Sequence, residues 1–319
     1  MKTKLLSVCL LAYYSEDKIN IVYRNLKKVL DNENIKFELI ITDDASSDNT
    51  YKIAKELEKN ENNVRAYQLS RNCTSTISAF ASLSQSKGEC AVLICDDNQQ
   101  PFELIVKMYR IWEHGKRIVF LHRNLRKDKF TTKILSNLYY RFMKYFSTLD
   151  YPPGGIETFL IDREIIDILN TRIHPINTDI FVEVLRLGYK PYLISYDRPR
   201  GNRKKSRWTL KKKIKLAKDI FFSSSSFPIK LVSFSGVFFS IFSFLLIILY
   251  SYIKIFGNNN FWGYSPPGWT STILFISFFS GLILFTLGII AEYLWRIYEE
   301  VKDRPGYLIK EDKKTKSPE

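Results

Sequence analysis

Two pairs of adjacent carboxylates, Asp43-Asp44 and Asp96-Asp97, and a basic stretch holding Arg198, Arg200, Arg203, Lys205, Ser206 and Arg207 are the residues best suited to chemistry. Carboxylate pairs converging on one rim can hold a hard divalent cation, and that cation can neutralise a diphosphate. An Asp in the turn after a strand also serves simply to cap it, so either pair alone decides little. The forked guanidinium of Arg matches phosphate oxygens, which favours a phosphate contact over a merely solvated run at 198–207. His114, His122 and His174 have no metal-binding spacing. Cys9, Cys73, Cys90 and Cys95 show neither CxxC pairing nor neighbouring histidines, so they read as buried thiols in a reducing compartment.

The elements that must position these residues alternate along the first part of the chain. Short apolar runs at 5–11, 37–41, 64–69, 91–94 and 118–121 read as buried strands, and helical patterns fill 19–30, 49–59, 75–84 and 102–114. Asp48 suits the N-cap of the second helix, Pro101 the start of the fourth, and Gly115 its end. The order predicts an α/β fold with a mostly parallel sheet, in which ligands bind beyond the carboxyl ends of the strands. The second and fourth strands run out into the two Asp pairs. No GxGxxG is present, so a dinucleotide fold of the usual kind is not supported.

The chain has 319 residues, with 48 Lys+Arg against 33 Asp+Glu and a net charge of +15. At 45% hydrophobic residues it is no disordered or low-complexity chain. Residues 231–253 and 271–291 carry no charge, and each meets the roughly 20 residues a helix needs to cross a hydrocarbon core. Basic residues crowd the segment before the first span and the tail after the second, which predicts both ends on the cytoplasmic side. Residues 209–222 put Leu210, Ile214, Ala217 and Phe221 at helical spacing opposite lysines, as in a helix lying in the interface, with Trp208 and Trp295 as anchors. Lys2 and Lys4 before 5–11 evoke a signal peptide, but no cleavage-site residues follow. The basic balance is accounted for beside a membrane, and nucleic-acid binding is not expected.

Taken in order, several segments resemble family 2 glycosyltransferases of GT-A fold, in the subgroup that moves a sugar from a nucleotide to a polyprenyl phosphate, of the bactoprenol glucosyltransferase and dolichyl-phosphate mannose synthase kind. Tyr14-Ser15-Glu16 lies where that subgroup has its first nucleotide-binding turn. Thr42-Asp43-Asp44-Ala45-Ser46 resembles its VDDGS segment and Leu69-Ser70-Arg71-Asn72 its LSRN. Cys95-Asp96-Asp97-Asn98-Gln99-Gln100-Pro101 stands at the DxDLQDPP metal motif, and the segment from Gly154-Gly155 through Glu157 to Arg163 is similar to GGFDFFLIDR. Lys205-Ser206-Arg207-Trp208-Thr209 resembles GKSRWT, and Leu287-Gly288-Ile289-Ile290-Ala291-Glu292-Tyr293 with Arg304-Pro305 resembles LGIIGEY and RP.

The resemblance implies a Rossmann-like GT-A domain over 1–205, a basic amphipathic juxtamembrane segment over 206–230, two transmembrane helices within 231–295 and a basic cytoplasmic tail over 296–319. It implies a multi-pass protein of the inner membrane, with its catalytic domain facing the cytoplasm, that inverts a sugar from a UDP-sugar onto undecaprenyl or similar phosphate for envelope polysaccharide or lipid modification. Asp97, helped by Asp96, would hold Mg2+ or Mn2+. Tyr14, Glu16, Asp43, Asp44, Arg71 and Asp96 would bind the nucleotide, and Glu157 would accept a proton or orient the sugar. Arg198, Arg200, Arg203, Lys205, Ser206 and Arg207 would meet the lipid phosphate. Self-association at the membrane is compatible with this scheme. The departures matter: Cys95 replaces the first Asp of the metal motif, Gln100 a later one, and Cys73-Thr74-Ser75 replaces Phe-Gly-Lys. Either Asp96 takes over part of the missing role or the site is weakened, and the alternative is a membrane scaffold of the same fold with a decayed site. A processive synthase is disfavoured because two spans build no polymer channel.

Overall fold

The computed structural model describes residues 4–96, 100–123, 156–196, 227–256, 268–302 and 304–310. The chain divides into two compact units, Met1–Ser224 with Arg304–Glu319, and Ser225–Asp303. In the first unit the elements run β1 (Leu6–Ala12), α1 (Ile19–Asn32), β2 (Phe37–Asp43), α2 (Thr50–Asn60), β3 (Val64–Gln68), α3 (Ser75–Ser84), β4 (Cys90–Cys95), α4 (Glu103–Glu113), β5 (Ile118–Arg123), β6 (Thr158–Asp162), α5 (Arg163–Arg172), α6 (Ile180–Arg186) and β7 (Tyr192–Tyr196).

The seven strands form one sheet in the order β3-β2-β1-β4-β6-β5-β7. The first four strands are parallel, whereas β6 runs antiparallel to both β4 and β5. The expected α/β sheet, mostly parallel, is therefore present, with one reversed strand. Central strands read as unbroken apolar runs because both faces are covered. Leu6, Val8, Leu10, Leu39, Ile41, Val92 and Ile94 point to the face covered by α1 and α4, while Cys9, Ile40, Ala91, Leu93, Phe120, Phe159 and Ile161 point to the face covered by α3, α5 and α6. Helix α1 buries Ile19, Val22, Tyr23, Leu26 and Leu30, the three-and-four spacing of an amphipathic helix.

The N-cap of α2 is Asn49, with no side-chain cap bond, and not Asp48 as expected; Asp48, one residue earlier, still accepts the Thr50 N–H at 3.1 Å. Gly115 follows α4 at φ +89°, a conformation costly for residues with a Cβ. Cys9, Cys73 and Cys90 are buried, but Cys95 is exposed, contrary to the expectation of four buried thiols. It is the last residue of β4, where the strand has left its covering helices and meets the rim.

The second unit holds α7 (Phe227–Phe256) and α8 (Gly268–Val301). Among the described residues one stretch, Phe278–Val301, is long and apolar enough to cross a membrane, and a shorter apolar stretch occupies Phe227–Phe239. The two helices touch through Phe239, whose ring lies 5.6 Å from Phe278 and 5.7 Å from Phe279. Large apolar side chains such as Phe234, Val237, Ile283, Leu284 and Trp295 are exposed on them. The interfacial helix expected at 209–222 lies outside the described residues.

Candidate active site

Parallel pairing in register brings the ends of four strands to one rim: Ala12 stands beside Asp43, Asp43 beside Gln68, and Leu11 beside Cys95. Reversal of β6 adds a fifth contribution, because its first residues lie at the carboxyl end of β4. Leu160 pairs with Val92, and the Thr158 hydroxyl donates to the Leu93 carbonyl. Glu157, one residue earlier, thus reaches the rim that carries Asp96.

Three loops are knitted together here. After β1 the chain turns through Tyr14, which takes φ +51°, and its N–H donates to Ser46 Oγ at 2.9 Å. Ser15 N–H donates to Thr50 Oγ1 at 2.7 Å, and Glu16 Oε2 accepts from the Asn49 N–H at 3.0 Å. Tyr14 is 44% exposed; its hydroxyl lies 2.9 Å from Ser47 Oγ and its ring packs edge-on against Tyr13 with centroids 4.5 Å apart.

Asp43 and Asp44 are both buried. Asp43 accepts from the N–H and hydroxyl of Ser46 and from Gln68 Nε2 at 2.7 Å. Asp44 accepts the Cys73 N–H at 2.6 Å and the Thr74 N–H at 3.2 Å, which draws the segment after Asn72 against β2. Burial pushes the Asp44 carboxyl above its ordinary value, and the two backbone N–H groups oppose that rise. Both carboxylates thus build the loops of the rim. Arg71, on the same segment, is exposed.

Asp96 Oδ2 accepts from the Ser15 hydroxyl and from Lys18 Nζ at 3.2 Å, an ion pair linking the exits of β1 and β4. Among the described residues no group of three His, Cys, Asp or Glu side chains stands close enough to hold a metal. Asp97, Gly154, Gly155 and the basic residues Arg198, Arg200, Arg203, Lys205, Ser206 and Arg207 lie outside the described residues. Glu157 is half-buried, donates its N–H to the Leu121 carbonyl at 2.9 Å, and receives the Tyr196 hydroxyl on Oε2.

Ser15 falls in the Tyr14-Ser15-Glu16 turn that the resemblance singled out, whereas Lys18, Gln68 and Tyr196 carry contacts that the sequence did not point to. Gln68 and Tyr196 end β3 and β7, so the rule that ligands gather at carboxyl ends would have found Gln68 once 64–69 was read as a strand. Tyr196 carried no such signal, since β7 was not expected.

The Glycosyl transferase family 2 profile matches residues 7–166, about half of the chain and the whole of the rim described above up to Glu157. The chain belongs to glycosyl transferase family 2, and it is a glycosyltransferase. It is 31% identical over 304 residues to the uncharacterized glycosyltransferase YkcC of Bacillus subtilis (strain 168), covering 95% of this chain and 92% of that one. It is 26% identical to the bactoprenol glucosyl transferase of Shigella phage SfX, over 97% and 99% of the two chains. It is 28% identical to the undecaprenyl-phosphate 4-deoxy-4-formamido-L-arabinose transferase of Proteus mirabilis (strain HI4320), over 99% and 96%.

Proposed function

We propose that the protein transfers a sugar, with inversion, from a UDP-sugar to undecaprenyl or a similar polyprenyl phosphate, from the cytoplasmic face of the inner membrane, for envelope polysaccharide or lipid modification. The observation that carries the proposal is the convergence of Tyr14, Glu16, Asp96 and Glu157 on one strand-end rim in a chain that aligns over nearly its whole length with polyprenyl-phosphate sugar transferases.

In this reaction a lipid phosphate oxygen forms a bond to the anomeric carbon while the bond from that carbon to the diphosphate oxygen breaks, and UDP leaves. The attacking phosphate is already an anion at neutral pH, so positioning and charge stabilisation matter more than a strong base. Tyr14, Glu16 and Arg71 bind the nucleotide on loops that Asp43 and Asp44 shape. Glu157, oriented by Tyr196, holds the sugar and receives any proton the acceptor phosphate still carries.

The carboxylates offer hard oxygen donors of the kind Mg2+ or Mn2+ takes, commonly one or two carboxylates plus substrate phosphates. With Asp96 Oδ2 engaged by Ser15 and Lys18, Asp97 is the ligand we assign, and the ion would neutralise the departing diphosphate. The basic residues Arg198, Arg200, Arg203, Lys205, Ser206 and Arg207 are assigned to the lipid phosphate.

We divide the chain into a catalytic domain over 1–205, a juxtamembrane segment over 206–230, two membrane helices within 231–295 and a returning tail. Chain parity supports two crossings. Residues 304–310 belong to the same compact unit as β3, so whatever leaves the cytoplasmic side after residue 224 must come back before 304. One crossing by α8 alone would strand the tail on the far side. The exposed apolar side chains of α7 and α8 suit a lipid environment.

Membranes holding the full chain, given undecaprenyl phosphate and a panel of radiolabelled nucleotide sugars, should yield an organic-extractable labelled lipid. The product should vanish with EDTA, return with Mn2+ or Mg2+, and be lost in Asp97→Ala. No product from any donor would overturn the proposal in favour of a decayed scaffold.

A further inference from the structure

Strand β3 is an outer strand of the sheet, yet its exit is covered. Residues 304–310, having followed the whole of Ser225–Asp303 in sequence, rejoin the first unit and lie along that exit. Ile309 forms an antiparallel bridge with Leu69, the Ser70 N–H donates to the Leu308 carbonyl at 2.8 Å, and the Lys310 N–H donates to the Gln68 carbonyl at 2.8 Å. Tyr307 and Ile309 pack on Leu69, Cys73 and Ala81. Gly306 is buried so closely against residue 175 that a Cβ there would stand 2.8 Å from Pro175 Cγ. Backbone pairing and burial therefore fix this strap independently of its last side chain.

That side chain is Lys310. Its Nζ donates to Gln68 Oε1 at 2.9 Å, and the same amide turns its Nε2 to Asp43 Oδ2 at 2.7 Å. Asp43 in turn holds the N–H and hydroxyl of Ser46, whose Oγ accepts the Tyr14 N–H. Donor and acceptor alternate without conflict from the ammonium to the Tyr14 backbone. A flipped Gln68 amide would set NH2 against ammonium and oxygen against carboxylate, so Lys310 and Asp43 each hold the amide in the orientation the other requires.

We infer that Lys310 is a positioning residue of the nucleotide end of the site: from the tail beyond the apolar helices, it locks Gln68 and through it the Asp43–Ser46–Tyr14 network that presents the Tyr14 ring. The inference rests on the reading of this rim as the nucleotide pocket. Lys310 itself touches no substrate.

The test uses the full chain in detergent, with UDP titrated calorimetrically and donor and acceptor kinetics measured in parallel. Lys310→Met, which keeps the aliphatic stem and removes the donor, should weaken UDP binding about three- to tenfold, as expected for one hydrogen bond. Donor KM should rise by the same factor, with kcat and the KM for undecaprenyl phosphate unchanged. Lys310→Arg should restore UDP binding, and adding Lys310→Met to Gln68→Ala should bring no further loss, because both act through one contact. Wild-type UDP affinity in Lys310→Met, a fall in kcat at constant donor KM, or independent effects in the double variant would each overturn the inference. A wild-type chain that binds no UDP refutes the pocket and the inference together. One that binds UDP, weakens in Tyr14→Ala and ignores Lys310→Met refutes the inference alone.

Discussion

Glu157 and Tyr196 meet across 39 residues of sequence, at the start of β6 and the end of β7. A carboxylate held on one oxygen by a tyrosine hydroxyl has a fixed orientation, which the role proposed for Glu157 requires. Glu157→Gln should therefore lower kcat by about 10²- to 10⁴-fold, the range for loss of an acid-base group. Tyr196→Phe should lower kcat by a smaller factor while leaving UDP affinity intact. Steady-state transfer assays with a UDP titration check both, and equal losses of UDP binding in the two variants would remove Glu157 from the reacting end. Residues of this kind were unequally legible. Asp43, Asp44 and Asp96 announced themselves because they sit where buried apolar runs stop, and a strand end is visible in one segment alone. Their individual tasks were not visible: only coordinates reveal that Asp43 and Asp44 spend their oxygens on Ser46, Gln68, Cys73 and Thr74, or that Asp96 is tied to Lys18.

Among the elements, β1, β2 and β4 could be read because both their faces are covered, which forces continuous hydrophobicity. Strand β7 escaped because only Ile194 and Tyr196 of its five residues are buried, leaving no run and little alternation to detect. Strand β6 was seen as a motif and not as a strand, and nothing local to residues 158–162 says that it runs opposite to β4. The end of the sheet away from the rim is held by a different device. Glu38, nearly buried, gathers the Ser7 hydroxyl, the Arg65 guanidinium and the N–H groups of Lys87 and Gly88. Gly88 lies so close to β1 that a Cβ would stand 2.6 Å from the Leu5 carbonyl oxygen and 2.7 Å from the Ser7 N. Since these are backbone atoms of β1 and of the residue just before it, Gly88→Ala must displace the turn and should cost about 1–3 kcal/mol. A thermal unfolding midpoint several degrees below wild type is the expected result, and an unchanged midpoint would show that the turn yields freely.

At the scale of the whole molecule, the return of residues 304–310 to the sheet makes membrane topology a testable corollary of a β-bridge. Asn259→Cys, between the two apolar helices, should react with an impermeant maleimide on intact cells, whereas Lys316→Cys should react only after permeabilisation. Labelling of both from outside would break the two-crossing scheme. That pairing was not legible in the sequence, because Gln68 and Lys310 stand 242 residues apart and no periodicity connects them. It also gives the protein an order of assembly. At a synthesis rate of about 5–20 residues per second, the partner of the β3 exit emerges from the ribosome roughly 10–50 s after β3 itself. Through that interval the sheet margin has unpaired backbone groups open to mispairing. A polypeptide whose translation stops inside the second hydrophobic helix lacks the segment that closes this margin, so such a fragment is exposed to aggregation and leaves the exit of β3 uncovered.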